Sequence, residues 1–122
     1  MVILLVDDEV HVQFFIWKFL KADGFTVLTA GSGEAALEIS RSRSGPIDLL
    51  LTDVMMPGMD GLELCKRIVV DRPAIKLLLM SGDSRVKEEA SKVGIRCLQK
   101  PFATTELRQA IQAALEPVPQ SK

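Results

Sequence analysis

Tyrosine is absent from this 122-residue sequence, histidine and tryptophan occur once each and cysteine twice, which removes the usual equipment of several function classes. Cys65 and Cys97 have no CxxC spacing and no clustered histidines, so neither a zinc site nor a disulfide framework is indicated; both read as core thiols. No charge of one sign dominates: 15 Lys and Arg stand against 16 Asp and Glu, for a formal net charge of −1. Without a basic field, direct binding to nucleic acid is disfavoured. Long hydrophobic runs are also missing. The longest, residues 1–6, falls far short of the roughly 20 needed to cross a bilayer, and no basic stretch precedes it as in a signal peptide. The expectation is a cytoplasmic protein with no membrane association.

What is present is an ordinary globular balance, 48% hydrophobic and 25% charged, at a length that fits one domain. Short apolar runs of strand length lie at residues 2–6, 26–29, 47–51, 75–80 and 95–98. Helical spacing fills the gaps at 10–22, 33–42, 61–70, 85–93 and 105–115. Strands alternating with helices imply right-handed crossovers and a parallel sheet covered on both faces, and the nearly unbroken apolar character of the first, third and fourth strands agrees. Local chemistry marks the boundaries. Ser32 and Asp60, the latter with Glu63, suit helix N-caps, and Gly24 and Gly94 suit helix stops. Residues 1–116 are read as one α/β domain and the Pro-rich 117–122 as a tail or the start of a linker.

In an open α/β sheet, ligands bind beyond the carboxyl ends of the strands. Here the first strand ends in Asp7-Asp8-Glu9, the third in Thr52-Asp53, the fourth in Ser81-Gly82, and the fifth in Lys100-Pro101. Converging carboxylates repel, and a divalent cation resolves the conflict; Mg²⁺ suits a sparse oxygen site completed by waters and phosphate oxygens. Lys100 suits a phosphoryl oxygen or a carboxylate, and Ser81 adds a neutral donor. Together these groups offer a carboxylate nucleophile, a metal site, a cation and a hydroxyl, the parts that phosphoryl transfer needs.

The motifs Val6-Asp7-Asp8-Glu9, Leu51 through Gly61 with Asp53-Val54-Met55-Met56-Pro57-Gly58, Met80-Ser81-Gly82 and Lys100-Pro101-Phe102 resemble the receiver domain of two-component response regulators, in order and spacing. The resemblance implies a flavodoxin-like doubly wound (βα)5 fold with a five-stranded parallel sheet in the order 2-1-3-4-5. It further implies that Asp53 is the phosphoacceptor, that Asp8, Asp53 and the Met55 backbone carbonyl ligate Mg²⁺ with Asp7 acting through water, and that Ser81 and Lys100 read the phosphoryl group. A cis peptide before Pro101 is also implied. The partner implied is a histidine kinase or histidine phosphotransfer protein. On this reading the chain is a signalling switch catalysing only its own phosphorylation and dephosphorylation. An alternative is a receiver fragment of a longer hybrid histidine kinase or DNA-binding regulator. A phosphatase using an aspartyl nucleophile would need a second Asp at position 55, which is Met.

Two departures stand out. Where the family commonly places Tyr or Phe three residues before the lysine, this chain has Cys97, so output is expected to be weaker or to leave by another face. The first helix segment also carries three of the five Phe residues and the only Trp. Its spacing assigns Val12, Phe15, Ile16, Phe19 and Leu20 to the core. Phe14 and Trp17 then share a neighbouring face and are candidates for docking a kinase, a phosphotransfer protein or a second copy in a homodimer. His11 and Met55 are read as a surface residue and a residue bordering the site.

Overall fold

The computed structural model describes residues 1–116, and the expected tail at 117–122 lies outside them. Five strands, β1 (Val2–Val6), β2 (Thr26–Ala30), β3 (Leu49–Asp53), β4 (Lys76–Ser81) and β5 (Arg96–Gln99), alternate with five helices. The helices are α1 (Val10–Ala22), α2 (Gly33–Ser42), α3 (Gly61–Asp71), α4 (Ser84–Lys92) and α5 (Thr104–Leu115). All strand pairs are parallel and the sheet order is β2-β1-β3-β4-β5, as the resemblance implied. The third strand starts later than its apolar run: Ile47 is buried ahead of it, and Asp48 instead accepts a hydrogen bond from the Val2 amide at 2.8 Å.

Because successive strand side chains point to opposite faces, a sheet covered on both sides must be apolar at every position. Leu4, Val6, Leu50 and Leu79 face one layer with Ala36, Leu37, Leu64, Cys65, Ile68 and Ala90 of α2, α3 and α4. Ile3, Leu5, Leu49, Leu51, Leu78 and Met80 face the other with Ile16, Leu20, Leu107, Ile111 and Ala114 of α1 and α5. The caps form as the sequence indicates. Ser32 accepts from the Ala35 amide and Asp60 from the Glu63 amide, while Gly24 and Gly94 adopt φ of +95° and +76° just past α1 and α4. At the sheet's opposite end, Arg72 donates to Ser40 and to the carbonyls of Arg43 and Gly45, tying the α2–β3 connection to the end of α3.

One core assignment in α1 fails. Phe15 is exposed, not buried, because it lies about 100° round the helix from Ile16, at the shoulder of the buried stripe. Cys97 is half-buried rather than fully in the core, packed against the layer formed by α2, α3 and α4. None of the described helices is long and apolar enough to cross a membrane.

Candidate functional site

Parallel register brings the strand ends to one edge. Val6 pairs with Ala30 and Thr52, Asp53 with Met80, and Ser81 with Gln99, so Asp7, Asp53, Ser81 and Lys100 line the same rim. Lys100 Nζ lies 3.3 Å from Asp53 Oδ1 and 3.6 Å from Asp7 Oδ2. Its peptide bond to Pro101 is cis. Ser81 is buried and its Oγ accepts a hydrogen bond from the Asp83 amide at 3.0 Å. Asp83 in turn caps α4 and pairs with Arg85.

Asp7 is 1% exposed, and its Oδ1 accepts from the Glu9 amide at 2.9 Å. Its Oδ2 is buried with no hydrogen-bond partner, and the one positive charge near it, Lys100 at 3.6 Å, is shared with Asp53. One oxygen from each of Asp7, Asp8 and Asp53 lies within 4.8 Å of the others. Three hard oxygen donors against a single ammonium fit a divalent cation of the Mg²⁺ type. Burial pushes the Asp53 carboxyl above its usual range; the Lys100 charge pulls it back and the Asp7 charge pushes it further up. A cation placed among these groups would relieve both the burial and the repulsion.

The loop between β3 and α3 is held against the strand end. The Gly61 amide donates to the Val54 carbonyl at 2.9 Å, and a Cβ on Gly61 would stand 2.4 Å from the Asp53 carbonyl oxygen. Only glycine permits this approach. Met56 and Met59 anchor the loop in the core while Met55 stays exposed beside the rim. Asp7 and Asp8 do not cap α1: its N-cap is Glu9, with no side-chain hydrogen bond.

Gln13 is a participant the sequence reading missed. From the second turn of α1, its Nε2 donates to the Asp7 carbonyl at 3.1 Å and to the Ala30 carbonyl at 2.8 Å. The available signal was a long amide between the inward positions Val12 and Ile16.

Comparison with known proteins decides the family. The model of the response regulator receiver domain matches residues 3–112. The chain belongs to that family. Among curated relatives, sporulation initiation phosphotransferase F of Bacillus subtilis is 32% identical over 116 residues, covering 93% of this receiver and 92% of that protein. The response regulator receiver protein CpdR of Brucella abortus is 33% identical and matched over 95% of its length. The sensor kinase CckA of Brucella abortus is 34% identical over 117 residues, and there the receiver spans only 12% of the relative. A solved receiver domain of the hybrid histidine kinase CckA superimposes with a TM-score of 0.81 at 33% identity, over 95% of this chain and all of that one. The response regulator TrrA of Thermotoga maritima, solved with Mg²⁺ and BeF, gives 0.83 at 30% identity, over 93% and 98%. The receiver is thus a two-component signalling module, a class that works with histidine kinases and output domains.

Proposed function

We propose that this receiver is a phosphoacceptor switch in which Asp53 takes a phosphoryl group from a phosphohistidine donor. The observation that carries the reading is the convergence of Asp53, a buried Asp7 oxygen that accepts no hydrogen bond, and Lys100 at 3.3 Å from Asp53, on the rim where an open sheet binds ligands. An Asp53 oxygen attacks phosphorus, the phosphorus–nitrogen bond breaks, and the donor imidazole leaves with the bonding pair, giving an aspartyl phosphate. Water attack on phosphorus later releases inorganic phosphate and restores the carboxylate. Asp8, Asp53 and the Met55 carbonyl would hold Mg²⁺, with Asp7 through water, and the ion would neutralise charge on the transferring group. Lys100 binds a phosphoryl oxygen. Ser81 gives up its contact with the Asp83 amide to donate its hydroxyl to another, which displaces the start of α4.

Residues 1–116 act as one receiver unit in the cytoplasm, whether alone or within a hybrid kinase or DNA-binding regulator. The donor docks on α1 beside the site. Val10, Phe14 and Phe15 are 72%, 59% and 58% exposed there, and Phe14 stacks on Trp17 with ring centroids 5.8 Å apart. Trp17 is itself half-buried against the α1–α5 layer, so it stiffens the patch that Phe14 presents. Beryllofluoride with Mg²⁺ tests the switch: amide NMR shifts are expected at Asp53, Ser81 and the start of α4. Shifts that persist unchanged in Asp53→Asn would refute the acceptor assignment.

A further inference from the structure

We propose that Gln13 is a positioning residue for the metal-binding acidic loop, a role that rests on the Mg²⁺ reading above. Its two side-chain protons reach two backbone carbonyls on different strands: Asp7, just past β1, and Ala30, the last residue of β2. The Ala30 carbonyl also accepts from the Asp7 amide at 3.2 Å. Asp7 is thereby held through its amide, its carbonyl and, by the Glu9 amide, one carboxylate oxygen, leaving Oδ2 as the atom without a hydrogen bond.

The peptide unit is planar, so fixing the Asp7 carbonyl fixes the plane that carries the Asp8 amide and sets the direction in which Asp8 leaves the strand. Asp8 is exposed and no side-chain hydrogen bond restrains it among those of the described residues. Its place within 4.8 Å of Asp7 and Asp53 therefore depends on the backbone behind it. Gln13 is in turn fixed by α1, whose Gln13 amide donates to the Glu9 carbonyl at 2.9 Å and whose next inward residue, Ile16, is buried. The helix thus transmits its own packing to the ligand loop through one amide. Groups that orient ligands in this way commonly change metal affinity by 10–100-fold when removed.

Three proteins test this by calorimetric Mg²⁺ titration, at a temperature where circular dichroism shows each fully folded. Gln13→Met keeps the chain length and removes both donors; its affinity is expected to fall about tenfold. Gln13→Glu separates positioning from charge. A carboxylate there adds negative charge, which by attraction alone would tighten Mg²⁺ binding, but it presents acceptors to two carbonyls and is expected to weaken binding as well. Undiminished affinity in Gln13→Met, or tighter binding in Gln13→Glu, would overturn the role of Gln13 while leaving the metal site standing. Absence of Mg²⁺ binding by the unaltered protein would overturn the site reading, and this role with it.

Discussion

Burial and the Lys100 charge act in opposite directions on Asp53, and the balance has a measurable sign. With no metal bound, burial and Asp7 raise the carboxyl's pKa against the downward pull of Lys100, so the folded protein binds this proton more tightly than the unfolded chain. Stability from this group therefore falls as pH rises from its unfolded value through its raised folded value, and the full cost remains above both. Asp53→Asn removes the charge and the slope. In EDTA at neutral pH its melting temperature is expected to exceed that of the unaltered protein by a few degrees, with the gap closing in mild acid. Thermal melts across pH check this, and a lower melting temperature at neutral pH would contradict it. The cysteines differ in the same terms. Burial, then the Asp60 charge, pushes Cys65 up to about 12, while Cys97 is raised by burial and partly relieved by Lys87. A thiol reagent at pH 8 is expected to label Cys97 slowly and spare Cys65 until the protein unfolds, as peptide mass mapping would show.

Among the elements, the loop from β3 into α3 separates stability from site geometry. Asp60→Ala deletes the cap on the Glu63 amide and should cost about 1 kcal/mol in chemical denaturation while leaving Mg²⁺ affinity unchanged. Gly61→Ala drives a methyl into the Asp53 carbonyl, and overpacking of this kind costs about 1–3 kcal/mol. Because the atom struck belongs to Asp53, Mg²⁺ affinity should fall too. Equal effects of the two variants on metal binding would contradict this placement of Gly61. The caps at Ser32 and Asp60 and the stops at Gly24 and Gly94 were legible in sequence because each uses local chemistry within a few residues. The bonds of Gln13 were not, since its acceptors are backbone carbonyls whose identity depends on which strands come to lie together. Phe15 misled for a related reason: periodicity gives the centre of a buried stripe, but its width depends on the neighbours packed against α1.

Across the whole molecule, one sheet carries a continuous core on both faces and places its chemistry at one end. The parallel sheet and its rim followed from sequence because apolar runs stop beside Asp, Ser and Lys and parallel pairing aligns those ends. The strand order came with the family resemblance, since the runs themselves do not say which strands are neighbours. The opposite end is tied by Arg72 and serves stability. On the proposed reading recognition falls to α1, whose exposed Val10, Phe14 and Phe15 form an apolar outer face that begins three residues from Asp7. A Phe14→Ala, Trp17→Ala double variant should retain phosphorylation by acetyl phosphate and lose transfer from a phosphohistidine protein by about tenfold or more, the loss expected of interface anchors. Unchanged protein-to-protein transfer would sink the docking role. Phosphorylation of Asp53 is read by intact mass after incubation with Mg²⁺ and acetyl phosphate. One phosphoryl group is expected to be gained, located on Asp53 by fragmentation and absent from Asp53→Asn; no gain, or a gain that survives that substitution, would show that Asp53 is not the acceptor.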